Sequence, residues 1–163
     1  MQELYYNGKL ILGVDHGYGN MKTAHRVFAA SVEKEMQLGA VSLEYKGKVY
    51  GIGNGHKEFQ IQKTNDEDYW ILTLAAIAEE LKFSGKNEAV IHLAAGVPLF
   101  WVKEQKESFC EYLLCEKDVH FKYNGESYHV TITDVSIHPQ RFAAFINYSG
   151  DIGGNTVLAN IGN

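Results

Sequence analysis

Residues of the types that bind phosphate and magnesium cluster within eight positions near the start of the chain. They are Asp15, Gly17, Gly19 and Lys22, directly behind the apolar run at residues 10–14. Glycine lets main-chain N–H groups approach phosphate closely, lysine supplies a mobile positive charge, and a carboxylate holds magnesium through its waters. The spacing matches neither GxxxxGK[ST] nor GxGxxG. From the residues alone, a phosphate-binding turn and a simple tight hairpin both remain open.

Composition excludes several function classes. The chain has 163 residues, 45% of them apolar, and a formal net charge of −5, which predicts one domain without an electrostatic nucleic-acid surface. No apolar run has the length of a membrane span, and the N-terminus lacks the features of a signal peptide. Cys110 and Cys115 do not face each other in a predicted helix, which favours reduced thiols and a cytoplasmic location. The seven histidines are scattered without an HxxxH pair, so we expect no metal cage.

Strands must hold the Asp15–Lys22 segment in place, and the apolar patterning predicts them. Continuous apolar runs predict buried strands at 10–14 and at AVIHLAAGVP, residues 89–98. Residues 21–30 are predicted to be the return strand, with the glycines in the turn. Hairpins are predicted around Lys46-Gly47 and Asn124-Gly125, and the second runs into a strand that ends near Ile137.

Three helices are predicted. The first is NDEDYWILTLAAIAEELKFSG, with Asn65 as its cap and Gly85 as its end. The second is WVKEQKESFCEYLLC, whose predicted buried face consists of Val102, Lys106, Phe109 and Leu113. The third is PQRFAAFINY, which starts at Pro139, and a short strand, VLANI, follows it. This order predicts an α/β domain, a mixed sheet flanked by helices.

Three segments together resemble the actin-like ATPase superfamily, and within it the bacterial plasmid segregation proteins of the ParM type. VDHGYGNMK resembles the first phosphate-binding loop, and AAGVPLFWVKEQ resembles the passage from a core strand to a helix. DVSIHPQRFAAF resembles the segment that carries an acidic or amide side chain just after a proline. The resemblance covers nearly the whole chain. It implies an actin-like, ribonuclease H-like fold in which residues 1–163 form the N-terminal ATPase domain and the second domain is absent.

The resemblance also implies a role for each position of the first loop. Asp15 would lie close to the magnesium and its waters, and Lys22 would reach the β- and γ-phosphates. Gln140 would orient the attacking water by hydrogen bonding. The phosphate turn would be lined by Gly17, Tyr18, Gly19 and Asn20. The implied cofactors are ATP (or GTP) and Mg²⁺.

A second phosphate loop is implied at the C-terminal tail, where relatives have a strand followed by DxGxGT. In VLANIGN the matching residues are Asn160 and Gly162. DIGGNT, at residues 151–156, is disfavoured because it follows a helix-like segment. Asn160 lacks the negative charge of the family's aspartate, so we expect slow hydrolysis, and Asn160→Asp in the longer protein should raise the rate. Arg141 departs from relatives, which more often have glycine there.

The implied function is the N-terminal half of a filament-forming ATPase that segregates plasmid DNA in the cytoplasm. It would self-associate into filaments and reach plasmid DNA through an adaptor protein, without binding nucleic acid or membrane directly. Because the second domain is missing, we expect the chain alone to bind nucleotide weakly or not at all and to be inactive. Two alternatives remain. One is a non-enzymatic truncated actin-like protein. The other is a small-molecule kinase of the same superfamily, which the sequence disfavours because the strand ends offer only Asp134 as an acceptor-orienting acid.

Overall fold

The computed structural model describes residues 3–34, 39–53, 67–98 and 102–140, which form ten strands and two helices. The strands are β1 Tyr5–Tyr6, β2 Lys9–His16, β3 Asn20–Lys22, β4 Val27–Ala29, β5 Val32–Glu33, β6 Val41–Tyr45, β7 Lys48–Ile52, β8 Glu88–Val97, β9 Asp118–Tyr123 and β10 Glu126–Pro139. The helices are α1 Asp68–Phe83 and α2 Val102–Leu113. None of the helices in these ranges is long and apolar enough to cross a membrane.

All ten strands belong to one mixed sheet, in the order β4-β3-β2-β8-β10-β9-β6-β7-β5, with β1 paired to β2. The three central strands β2, β8 and β10 are parallel, and the remaining pairs are antiparallel. The carboxyl ends of the three parallel strands therefore meet at one edge, the position where open α/β sheets bind ligands.

Both helices pack on the same face of the sheet. Eleven of the sixteen residues of α1 are buried, as expected for a helix that is apolar nearly all round. Strand β2 alternates strictly in burial and presents Leu12, Val14 and His16 to the helices. Asp15 therefore lies on the opposite face of the sheet, because successive strand residues point to opposite sides.

The predicted buried strands and both predicted turns are confirmed. Strand β2 contains residues 10–14, and β8 covers most of residues 89–98. Both turns use two residues with positive φ, Lys46 (49°) with Gly47 (76°) and Asn124 (51°) with Gly125 (82°). This conformation matches the twist of the flanking antiparallel strands and favours Asn and Gly.

The predicted return strand at residues 21–30 is wrong in its extent, because the segment forms a second hairpin of β3 and β4. The turn between them is closed by the Thr23 N–H, which donates to the Arg26 oxygen over 2.9 Å. Glu80 on α1 also accepts hydrogen bonds from the Thr23 hydroxyl and the His25 N–H. These contacts with a distant helix favour a turn over the extended chain.

Two details of the helices differ from prediction, and a third is as predicted. Helix α1 starts at Asp68 with Glu67 in the N-cap position, and Asn65 lies outside the described residues. Gly85, at φ 67°, ends the helix as predicted, since the Lys86 N–H donates to the Leu81 oxygen over 2.8 Å. In α2, Lys106 is exposed because its ammonium group stays in water, while Phe109 and Leu113 are buried.

Pro139 is the last residue of β10 and does not begin a helix within the described residues. The remainder of the third predicted helix, residues 141–148, lies outside the described residues, and so does the predicted strand VLANI at residues 157–161.

Candidate functional site

The candidate site is built on the hairpin that joins β2 to β3. Asp15 pairs with Lys22, and His16 pairs with Met21, so residues 17–19 form the turn. His16 and Met21 are completely buried and hold the two ends of the hairpin in the core. The Gly19 oxygen also accepts a hydrogen bond of 3.0 Å from the Ala30 N–H, which ties the turn to the residue after β4.

Gly17 is required by the shape of this turn. The Gly17 N–H donates to the Asp15 oxygen over 3.1 Å, which bends the chain sharply. A Cβ atom at Gly17 would lie 2.4 Å from the main-chain oxygen of Asn20, a distance that no side chain can occupy. Glycine thus permits the tight turn that was predicted to approach phosphate.

Asp15 stands at the carboxyl end of β2 with an unsatisfied oxygen. Its Oδ1 atom is buried and has no hydrogen-bond partner among the described residues. A buried carboxylate oxygen without a partner is costly, and such atoms in folded proteins mark places where water or an ion belongs. The position therefore fits a magnesium ion held through its hydration shell, since Mg²⁺ keeps several waters and prefers carboxylate oxygens.

Gly96 lies between Asp15 and Gln140 at the same edge of the sheet. It pairs with Asp15 across the parallel strands. A Cβ atom at Gly96 would lie 3.2 Å from Gln140 Cγ and 3.5 Å from Asp15 Oδ1. The missing side chain lets the two predicted site residues approach each other. Sequence reasoning missed Gly96 as a site residue, although the glycine near the end of AAGVP was a visible signal.

Gln140 is fixed to the candidate site at two points. Its main-chain N–H donates to the Val97 oxygen over 2.8 Å, and its side-chain Nε2 donates to the His16 oxygen over 3.3 Å. The side chain therefore reaches over the end of β8 to the start of the turn. The structure thus brings Gln140 and Asp15 to the same place beside Gly96.

The remaining turn residues surround this cluster. Lys22 is exposed and has no ion-pair partner within the described ranges. Its side chain lies on the same face as that of Asp15, because directly paired residues share a face. Asn20 is half-buried. Tyr18 is half-buried too, and burial raises the pKa of its phenol to about 12, so the ring stays neutral at physiological pH.

A buried polar chain supports the hairpin from the helix side, and sequence reasoning missed it. The Thr73 hydroxyl on α1 donates to the Tyr69 oxygen over 2.6 Å, and His16 Nε2 lies 2.8 Å from the same hydroxyl. Since the hydroxyl proton is already used, we assign the proton of the His16 ring to Nε2. Phe109 of α2 meets the imidazole edge to face at 5.1 Å.

Several predicted positions do not contribute to this description. Asn160, Gly162, Arg141 and residues 151–156 lie outside the described residues. Asp134 forms an ion pair with Lys9, with 2.5 Å between Oδ2 and Nζ, and is five residues before Pro139 in β10. At about 3.3 Å per residue, that separation is roughly 16 Å along the strand. Asp134 is thus remote from the candidate site.

A family model matches most of the chain. The family model described as "Actin like proteins N terminal domain" matches residues 13–142, and the chain belongs to this family. The resemblance noted from the sequence is therefore confirmed. No curated protein sequence matches the chain.

Solved structures of plasmid and archaeal actin homologues share the fold. The apo ParM protein of pSK41 has a TM-score of 0.68 at 14% identity, over 84% of this chain and 51% of ParM. The AlfA filament bound to AMPPNP has a TM-score of 0.65 at 19% sequence identity, over 86% of this chain and 57% of AlfA. The archaeal actin homologue Ta0583 in complex with ADP has a TM-score of 0.66 at 19% sequence identity, over 89% of this chain and 49% of Ta0583. The chain thus spans about half the length of these proteins.

Proposed function

We propose that the chain forms one wall of the nucleotide site in a filament-forming, actin-like ATPase that acts in plasmid DNA segregation. The single observation that carries the proposal is the buried Oδ1 atom of Asp15, which has no hydrogen-bond partner in the described part of the chain and lies beside a turn that only glycine can make. A hydrated magnesium ion bound to ATP would satisfy that oxygen. The neighbours with AMPPNP and ADP in their names support nucleotide as the ligand class.

Each side chain of the site has a distinct task in this proposal. The main chain of Gly17 and Gly19, with Asn20, would surround the phosphates. Lys22 would donate to the β- and γ-phosphates, since its ammonium group is exposed and not engaged in an ion pair with described residues. Magnesium bound near Asp15 would neutralise phosphate charge.

Gln140 would orient the water that attacks the γ-phosphate. An amide side chain can do this by hydrogen bonding without taking the proton, as a glutamine does in other nucleotide hydrolases. The two anchors of Gln140, on Val97 and His16, limit its side chain to a position beside Asp15. Such fixed placement is what positioning a reactant requires.

Tight binding of a nucleotide requires a pocket that encloses most of the ligand. The matched part of this chain covers only about half of each of these neighbours. We therefore expect tight nucleotide binding to need a second wall, of the kind that the unmatched half of these neighbours could supply. The 163-residue chain alone should bind Mg–ATP weakly.

Assembly and partners extend the proposal. AlfA and Alp12 are described as filaments, which supports head-to-tail self-association, the contact type that gives open filaments. A net charge of −5 disfavours direct contact with DNA, so plasmid DNA would be reached through an adaptor protein in the cytoplasm.

The direct test is a titration of the ¹⁵N-labelled chain with Mg–ATP, followed by amide chemical shifts, a measurement that detects weak binding. We expect the shifts to concentrate on residues 15–22 and on Gly96 and Gln140. Gly17→Ala should abolish them because its Cβ would collide with the Asn20 oxygen. Gly13→Ala is the matched control, since no described atom lies within 4 Å of its Cβ. Shifts confined to other parts of the sheet would contradict the proposal.

A further inference from the structure

Three side chains that ligate metals converge on the outer face of the β9–β10 hairpin. Asp118 Oδ1 lies 2.7 Å from His129 Nε2, and Asp118 Oδ2 lies 3.8 Å from His120 Nε2. The two imidazole rings stack with centroids 4.0 Å apart and planes 10° from parallel. One potential ligand atom from each residue lies within 4.8 Å of the other two.

Strand register creates this cluster. His120 and His129 are direct partners across the antiparallel pair, and Asp118 is the partner of Thr131. Burial alternates along β9, so Asp118 and His120 point outward while Val119 is buried. The histidines are nine positions apart in the chain, a spacing typical of a hairpin partner and not of a helical ligand pair. The histidines are scattered along the sequence, but the sheet brings these two together.

We propose that Asp118, His120 and His129 bind a divalent transition-metal ion of the zinc class, meaning Zn²⁺, Co²⁺, Ni²⁺ or Cu²⁺. Imidazole nitrogen suits these borderline ions, and a carboxylate completes a set of three protein ligands. Water would fill the remaining positions. Mg²⁺ should bind here poorly, because it prefers oxygen ligands and two of these three ligands are imidazole nitrogens.

This metal site is separate from the candidate nucleotide site. His129 is ten residues before Pro139 on the same strand. At about 3.3 Å per residue, the two ends are roughly 30 Å apart. The proposal therefore does not depend on nucleotide binding, and either one can fail alone.

Binding requires two local changes that the surroundings permit. The ion takes the place of the hydrogen bond between His129 Nε2 and Asp118 Oδ1. The stacked rings must also tilt so that their nitrogens point at one centre. The side chain of His120 is 68% exposed, and packing does not oppose this tilt.

Neighbouring charges do not oppose a cation. On the outer face of β9, Lys122 is two residues from His120, and its ammonium group pairs with Glu44 at 3.3 Å. Glu88 on β8 is the partner of His129 on the other side and is exposed. It adds a negative charge to the same row of the sheet.

Calorimetric titration of the metal-free chain with Zn²⁺ at neutral pH, in the absence of nucleotide, tests the proposal. We expect one ion per chain and a melting temperature that rises with zinc concentration, because the ion binds only the folded hairpin. His120→Ala and His129→Ala should each weaken binding by at least about tenfold, a loss that even outer partners of metal ligands can cause. Both histidines lie on the outer face, so the variants should fold, and circular dichroism verifies this.

His138→Ala is the matched control, since it removes an exposed histidine from the same strand. It should leave zinc affinity unchanged. Co²⁺ absorption provides a second measurement, with visible bands for the unaltered chain that His129→Ala removes. The proposal is overturned if zinc does not bind at submillimolar concentration, or if His120→Ala and His129→Ala bind zinc as tightly as the unaltered chain.

Discussion

Gln140 donates a hydrogen bond from its side-chain Nε2 to the main-chain oxygen of His16, 3.3 Å away and 124 positions earlier in the chain. The bond passes over Gly96, which has no side chain to obstruct it. It joins the carboxyl end of β10 to the start of the β2–β3 turn. The position of Gln140 relative to Asp15 is therefore set by contacts of the sheet itself.

Crowding at Gly96 should be measurable. In Gly96→Ala, the new Cβ would lie 3.2 Å from Gln140 Cγ, so Gln140 must shift by a few tenths of an ångström. We expect a loss of about 1 kcal/mol in the free energy of unfolding, measured by urea denaturation. Gln140→Ala removes the Cγ atom, so the double variant should lose less than the sum of the single losses. Additive losses would show that the two residues are not coupled.

Lys22 should contribute to nucleotide affinity without contributing to stability. Lys22→Ala should weaken Mg–ATP binding by about tenfold, because a charge-assisted hydrogen bond is lost. The free energy of unfolding should change by less than about 0.5 kcal/mol. Titration followed by amide shifts gives the affinity. Lys117→Ala is the control because Lys117 is also exposed and precedes β9, away from the β2–β3 hairpin. Equal effects of both variants on affinity would argue for a general charge effect.

The His16–Thr73 hydrogen bond should stabilise the hairpin from below. Thr73→Val keeps the shape of the side chain but leaves His16 Nε2 without this partner in the core. We expect a loss of about 1–3 kcal/mol in the free energy of unfolding. Thr133→Val should lower the free energy of unfolding by less. It removes a half-buried hydroxyl that donates to the Ile91 oxygen over 3.1 Å. An unchanged free energy of unfolding for Thr73→Val would contradict this expectation and would mean that the imidazole finds another hydrogen-bond partner.

Stability should fall in acid partly through Glu80. Burial raises the pKa of Glu80, but hydrogen bonds from Thr23 and His25 outweigh burial and leave the pKa below its ordinary value of 4.5. Because the folded-state pKa is the lower one, the carboxylate stabilises the fold fully above about pH 4.5. That contribution disappears as the pH falls through the folded-state pKa.

The test is the free energy of unfolding of Glu80→Gln from pH 7 down to pH 3. We expect a loss of about 1–3 kcal/mol at pH 7, where charged hydrogen bonds are broken, and a smaller difference at the acid end. Glu107→Gln, at an exposed position on α2, should follow the unaltered chain at every pH. If the difference in the free energy of unfolding between Glu80→Gln and the unaltered chain were the same at every pH, the charge of Glu80 would not be the cause of acid destabilisation.

Short-range chemistry made much of the fold predictable. Two-residue turns such as Asn124-Gly125 follow from the φ values those residues tolerate, and the strands at residues 10–14 and 89–98 follow from continuous apolar runs. The proximity of Asp15 and Gln140 came only from the resemblance to the family. The spacing of residues 125 positions apart contains no such information.

What escaped prediction depends on pairing between distant elements. Gly96 matters because of its register with Asp15, and His16 matters because α1 brings Thr73 beneath it. His120 and His129 likewise face each other only once β9 and β10 are aligned. Register is set by packing of the whole sheet, which no local pattern encodes.

The most direct test of the account is paramagnetic broadening by Mn²⁺–ATP, because Mn²⁺ takes the place of Mg²⁺ and weakens the amide signals nearest to it. We expect the amide signals of Asp15, Gly17 and Gly96 to lose intensity first. Asp15→Ala should suppress the effect, and Gly13→Ala should not. Uniform broadening, or loss of signals only around residues 118–129, would contradict a magnesium–nucleotide site at the β2–β3 hairpin.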